Sequence, residues 1–116
     1  MNNSDLPLAP RSKELIALFD ERILVIDGAM GTMIQQRNLT AKDFGGPDLE
    51  GCNENLVLTR PDVIREIHAA YFEAGADLVE TNSFGGTPFV LQEYGLGERA
   101  EEINEAAARV AREAAK

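Results

Sequence analysis

The chain has 116 residues, enough for one domain but well short of the roughly 250 of a complete α/β barrel. Its hydrophobic fraction of 44% is typical of a folded protein and excludes a disordered chain. With 11 basic and 20 acidic residues the net charge is −9, which argues against nucleic acid or an anionic membrane as the main partner. The single cysteine, Cys52, excludes an internal disulfide and fits a reducing compartment, so a cytoplasmic location is expected.

The N-terminal part of the chain predicts a lead-in, a helix and a strand. Residues 1–12 are polar and proline-containing and are expected to be flexible, with the folded domain over 13–116. A short helix capped by Ser12 is predicted over 13–21. The apolar run from Ile23 to Ile26 lacks polar alternation, which predicts a strand over 22–27 that is buried on both faces, as in parallel α/β sheets.

A carboxylate and two glycines follow this strand. Asp27 falls at the strand end, where α/β proteins bind their ligands, although an aspartate here also commonly caps a turn. Gly28 and Gly31 allow a sharp turn and a close approach to a ligand. A carboxylate can bind a cation. Backbone amides, here those of Ala29 and Met30, can bind an anion. The loop therefore predicts a pocket for a small zwitterion.

The middle of the chain predicts an excursion and then a helix. A helix is expected to begin between Thr32 and Gln36, and residues 37–58 form a long connection with local structure or a function of its own. Pro61 marks a helix start, capped by Thr59 or Arg60. The helix's apolar face consists of Val63, Ile67, Ala70, Tyr71 and Ala74, and Gly75 ends it.

A second strand is predicted over 77–82, and its end is polar. Strand alternation puts Glu80 and Asn82 on one side and Thr81 on the other. Glu80 is either a buried carboxylate satisfied by its neighbours or a ligand contact, whereas Asn82 and Ser83 are expected at the mouth of the site. A short helix over 87–94 and a final helix from 98 onward follow. The apolar stripe of this final helix consists of Ile103, Ala107, Val110 and Ala114.

This order of elements predicts an incomplete α/β fold. Two parallel strands cannot cover their own faces and edges. We therefore expect the first two βα units of a (β/α)8 TIM barrel, incomplete as given. His68, in mid-helix, is expected to have a structural or solvent role, and Cys52, in the early loop, a structural one. The sequence offers neither a set of metal ligands nor a catalytic triad.

Four motifs resemble one known family. They are residues 26–32 (IDGAMGT), 51–56 (GCNENL), 59–64 (TRPDVI) and 74–84 (AGADLVETNSF). In order and with natural spacing, they resemble the homocysteine S-methyltransferase family, in the form that begins the cobalamin-dependent methionine synthases and also occurs in betaine–homocysteine methyltransferases. The likeness extends from about Glu14 to Lys116.

The resemblance implies a barrel that binds homocysteine and a zinc ion held by three cysteines of later strands, none of which is in this chain. It implies that Asp27 and the backbone of Gly28, Ala29 and Met30 hold the amino acid's amine and carboxylate, and that 81–83 line the same pocket. Zinc would favour the thiolate of homocysteine. The methyl group would come from methylcobalamin, recharged by methyltetrahydrofolate on other domains.

Three functions remain open at this stage. The first is the N-terminal segment of a homocysteine S-methyltransferase domain, a methyltransferase only when completed by the remaining strands and the cobalamin and folate domains. The second is a non-catalytic part-barrel that pairs with a complementary chain. The third is another amino-acid-binding barrel without zinc.

Overall fold

The computed structural model describes residues 7–116, and within that range the regular structure is helical. The helices are α1 (Pro10–Phe19), α2 (Gly31–Gln35), α3 (Ala41–Phe44), α4 (Leu56–Thr59), α5 (Pro61–Glu73), α6 (Pro88–Leu91) and α7 (Ala100–Ala114). Short 3-10 turns occupy Pro47–Leu49, Asn53–Asn55, Gln92–Tyr94 and Gly97–Arg99. In 7–116 none of the helices is long and apolar enough to cross a bilayer.

Helix α1 begins earlier than the sequence predicts. Pro10 is its first residue and Ala9 occupies the N-cap position without a side-chain hydrogen bond, so the predicted cap at Ser12 is wrong. The reason is that proline's fixed φ angle already suits the first helical turn. Of the expected lead-in 1–12, residues 1–6 lie outside the described residues.

The two predicted strands, 22–27 and 77–82, are not formed as strands within residues 7–116. The segments instead meet at one parallel bridge between Ile26 and Leu78. Around it, the amide of Asp77 donates to the carbonyl of Val25 at 2.7 Å, and the amide of Asp27 donates to the carbonyl of Leu78 at 3.0 Å. The predicted parallel order of the segments is therefore present, but the two βα units of a barrel are not.

The prediction that the first segment is buried on both faces is also wrong. Ile23 keeps 88% of its surface exposed, Val25 54% and Ile26 53%. A parallel strand becomes regular and buried when neighbouring strands pair with both its edges and helices cover both its faces. Here one bridged partner is present, so the apolar run remains at the surface.

The ends of helix α5 follow their sequence signals, but its predicted apolar face is only partly buried. Val63 and Ile67 are buried, whereas Ala70 and Ala74 are exposed. Pro61 is its first residue and Arg60 its N-cap, one of the two predicted caps, while Thr59 ends α4. Gly75 has a φ of +114°. Its amide donates to Phe72 O and that of Ala76 to Tyr71 O, both at 3.0 Å, which completes a Schellman motif.

Packing of α5 on α7 forms the centre of the core. Ile64, Ile67 and Ile103 are fully buried, as is Leu56 of α4. The predicted stripe of α7 faces this core through Ile103, Ala107 and Val110, whereas Ala114 is half-buried. The two loops that carry the predicted site precede α2 and α6. Tyr71 of α5 contacts the first loop and Asn104 of α7 contacts the second.

The long connection 37–58 has local structure, as predicted. Thr40 and Asp43 form a capping box at the start of α3. The buried side chain of Asn55 donates from Nδ2 to the carbonyl of Phe44 at 2.8 Å. Arg60 contacts Asp43 and also donates to both carboxylate oxygens of Asp62, each at 3.0 Å. The connection is thereby tied to the start of α5.

Candidate functional site

A cavity of about 400 Å³ lies where the loops after the two bridged segments meet. Its lining consists of Asp27, Gly28, Ala29, Met30, Gly31, Asn53, Glu54, Glu80, Thr81, Asn82 and Phe84. Six of the seven predicted site residues are in this set, and Ser83 is not. A larger depression of about 640 Å³ lies between α1, α5 and α7 and has none of the predicted site residues in its lining.

Asp27 links the two segments at the edge of this cavity. Its carboxylate oxygen Oδ1 accepts a hydrogen bond from the amide of Glu80 at 3.1 Å. Its side chain is half-buried, and the two residues lie opposite each other just beyond the bridge. The turn-capping role considered from the sequence is thus replaced by a contact across the two loops, which orients the carboxylate at the cavity.

Tyr71 of α5 supports the glycine loop. Its hydroxyl donates to the carbonyl of Ala29 at 2.7 Å. A Cβ placed on Gly28 would lie 3.4 Å from that same hydroxyl oxygen, at van der Waals contact, so the tyrosine lies directly against the loop at Gly28. The sequence placed Tyr71 on the apolar face of its helix, and the structure adds this polar contact to the loop.

The second loop is held from the connection before α4. Asn82 is 8% exposed and donates from Nδ2 to the carbonyl of Asn53 at 2.8 Å. The hydroxyl oxygens of Thr81 and Ser83 lie 2.6 Å apart, so the two side chains are bonded to each other. Glu80 is exposed at the cavity and not buried, which excludes its buried-carboxylate interpretation.

Sequence reasoning missed the contribution of the long connection to the cavity. Asn53 and Glu54 line it, and Glu54 Oε1 accepts the amide of Gly85 at 3.0 Å. Phe84 lines the cavity from the other loop. The available signal was position alone, since Asn53 and Glu54 lie within the second family motif and Phe84 ends the fourth.

The residues that the structure describes do not fit a zinc site. Within 7–116 no three His, Cys, Asp or Glu side chains are grouped closely enough to hold a metal ion. Cys52 is 1% exposed, and its burial raises the pKa of the thiol, which disfavours the thiolate that zinc binds. His68 lies on the buried face of α5. Burial lowers the pKa of its imidazole, and the negative charge of Asp27 raises it by a smaller amount.

Comparison with known proteins agrees with the motifs. The family model for homocysteine S-methyltransferase matches residues 24–116. The chain is 47% identical over 102 residues to a methionine synthase from Mycobacterium tuberculosis (strain ATCC 25618 / H37Rv) and to one from Mycobacterium leprae (strain TN), covering 88% of this chain. It spans about 8% of the length of each of these relatives. The chain therefore belongs to the homocysteine S-methyltransferase family.

Proposed function

We propose that this chain supplies the amino-acid-binding part of a homocysteine S-methyltransferase domain of the methionine synthase type. The observation that carries the proposal is the cavity itself. It brings Asp27 and the backbone of 28–30 together with Thr81 and Asn82 in a chain of this family.

In this proposal the two charges of the amino acid are held by different groups. The carboxylate of Asp27 binds the ammonium group, and the backbone amides of 28–30 bind the carboxylate. Glu54 and Glu80 add negative charge to the cavity lining, and this potential favours a cationic ammonium group. Thr81, Asn82 and Ser83 shape the far side of the pocket through the loop that they form.

The sulfur chemistry belongs to other parts of the protein. Since no metal ligands are grouped in 7–116, we assign the zinc ligands to the remaining barrel strands, and cobalamin and methyltetrahydrofolate to other domains. The 116-residue chain alone is therefore expected to show no methyl transfer to homocysteine. Measurable transfer by the isolated chain would contradict this assignment.

The test compares homocysteine binding by the completed barrel and its Asp27→Asn variant. Loss of a charge-assisted hydrogen bond to the ammonium group is expected to weaken binding about ten-fold or more. Asp48→Asn is the matched control, because it makes the same substitution at an exposed residue outside the cavity lining. Isothermal titration with and without zinc measures both, and unchanged affinity in Asp27→Asn removes that residue from the site.

A second candidate function is a non-catalytic part-barrel that pairs with a complementary chain. The exposed apolar side chains of Ile23, Val25 and Ile26 favour it, because they form an apolar surface that a complementary chain could cover. Reading past codon 116 separates the two proposals. Further strands with a later cysteine and an adjacent cysteine pair favour the methyltransferase, and an immediate stop codon favours the part-barrel. Further strands without those cysteines favour a zinc-free amino-acid-binding barrel.

A further inference from the structure

We propose that Phe84 is a specificity-determining residue whose ring forms the apolar wall for the sulfur-bearing side chain of the bound amino acid. We further propose that Glu54 and Asn104 are positioning residues, which hold the loop of Phe84 at the cavity. The inference rests on the proposed function, since it takes its ligand from there, and it adds the part of the site that recognises the ligand's side chain.

The first observation is an exposed aromatic ring on a buried stretch of backbone. The exposed fraction of Phe84 is 104%, although Asn82 before it is 8% exposed and Gly85 and Gly86 after it are buried. An isolated exposed apolar residue on a mobile loop needs no explanation. A ring held out from buried backbone at the rim of a cavity indicates a contact surface for a ligand.

The second observation is the pair of side chains that fix this backbone. Glu54 Oε1 accepts the amide of Gly85 at 3.0 Å, and Asn104 Nδ2 of α7 donates to the carbonyl of Gly86 at 2.7 Å. The amide of Gly86 also donates to the carbonyl of Ser83 at 3.0 Å, closing a turn around Phe84. Bonds from two separate elements thus fix the backbone that carries the ring.

The glycines make these bonds possible. A Cβ on Gly85 would lie 2.5 Å from Glu54 Oε1, and a Cβ on Gly86 would lie 2.9 Å from both Asn104 Oδ1 and Ser83 O. Contacts this short do not occur, so any side chain at either position displaces one of the holding groups. The GG pair after Phe84 therefore serves close approach by Glu54 and Asn104.

The chemistry of the cavity supplies the ligand class. Asp27, Glu54 and Glu80 make the lining acidic, which suits an ammonium group and not an aliphatic chain. Phe84 and Met30 are the large apolar side chains of the lining. The two methylenes and the sulfur of homocysteine need such a surface, and sulfur gains additional energy beside an aromatic ring.

The first experiment measures binding to the completed domain by titration calorimetry, using L-homocysteine and L-2-aminobutyrate, which lacks the thiol. Phe84→Ala is expected to weaken homocysteine binding about ten-fold, with a smaller loss for 2-aminobutyrate. Phe84→Leu, which keeps an apolar side chain, should bind homocysteine with an affinity between those of the wild type and Phe84→Ala. Phe89→Ala is the matched control, because Phe89 is 86% exposed but does not line the cavity, and it should bind both ligands like the wild type.

The second experiment tests Glu54 as a positioning residue. Glu54→Ala removes the acceptor for the Gly85 amide and should weaken homocysteine binding as Phe84→Ala does, with no further loss in the double variant. Glu54→Gln keeps an acceptor oxygen and should recover most of the affinity lost in Glu54→Ala, falling short of the wild type by the contribution of the lost charge. If Glu54→Gln is as weak as Glu54→Ala, the carboxylate binds the ligand directly and the positioning role is wrong.

The remaining outcomes separate the role of Phe84 from the proposed function on which it rests. Binding that depends on Asp27 but is unchanged in Phe84→Ala overturns the inference and leaves the proposed function intact. Loss of domain stability in Phe84→Ala and Phe84→Leu with unchanged affinity shows that the ring packs against the completing strands, which also overturns it. Absence of homocysteine binding by the wild-type domain overturns both.

Discussion

Replacing His68 by leucine is expected to stabilise the domain and to change how its stability depends on pH. His68 is fully buried on α5, beside the fully buried Ile64 and Ile67, and within 7–116 neither imidazole nitrogen has a hydrogen-bond partner. Burying such a group without a partner costs about 1–3 kcal/mol. Since leucine has no polar atom to satisfy, His68→Leu should raise the free energy of unfolding by about that amount at pH 7.5.

The pH dependence follows from the direction of the pKa shift. Burial lowers the pKa of His68 below its ordinary value of 6.5, against an opposing effect of the Asp27 charge. Below that value the unfolded chain takes up a proton that the folded chain does not, so wild-type stability falls as the pH decreases. The slope from one such group is at most about 1.4 kcal/mol per pH unit. The advantage of His68→Leu should therefore widen from pH 6.5 towards pH 5.5.

Urea unfolding of the completed domain at pH 7.5, 6.5 and 5.5 measures both effects, and the difference between variant and wild type isolates this imidazole, the single histidine of the chain. Glu73→Gln is the control, because it makes a substitution at an exposed position of the same helix and leaves His68 in place. A His68→Leu variant that is less stable at pH 7.5, or whose advantage does not depend on pH, would refute the reasoning.

Two further predictions concern the scaffold. Asp77→Asn should loosen the bridged segments, because the carboxylate of Asp77 accepts from Arg22 at 2.7 and 3.0 Å and from the amide of Val25 at 2.9 Å. The Arg22 hydrogen bonds, followed by that of Val25, lower the pKa of Asp77 from 3.8 to about 2. The stability difference between wild type and Asp77→Asn should therefore be full above pH 3.8 and disappear as the pH falls through 2. An acid-unfolding curve of each protein measures it. Ile103→Ala, at a fully buried position of α7, should lower the free energy of unfolding by about 2–5 kcal/mol in urea, and a loss below 1 kcal/mol would place Ile103 outside the core.

The helices of this chain were predictable because their signals are local. Pro61 fixes the start of α5 and Gly75 its end, and the stripe of Ile103, Ala107 and Val110 identifies the buried face of α7. Each signal depends on a few neighbouring residues or on helical spacing. The error at Ser12 arose because a nearby proline provides the stronger start signal.

The strands and part of the site were not predictable from local patterns. The apolar run from Ile23 to Ile26 has the composition of a buried strand, but burial depends on partners elsewhere in space. Asn53 and Glu54 reach the cavity because the connection 37–58 folds back, which depends on contacts such as Asn55 with the Phe44 carbonyl. No periodicity in the sequence encodes that return.

The bridged segments are exposed and the cavity lies beside them, so we infer that strands added to these segments would also complete the site. The Cα radius of gyration is 16.0 Å and the principal extents are 47 × 37 × 19 Å, whereas a compact domain of this length has a radius of about 13 Å. The bridged segments are bare, since Ile23 is 88% exposed, and the ring of Phe84 is bare as well. Asp27 both extends the bridge through Glu80 and lines the cavity. Under the proposed function, strands that pair with these segments would also enclose the amino-acid pocket, and binding of homocysteine should then stabilise the completed domain.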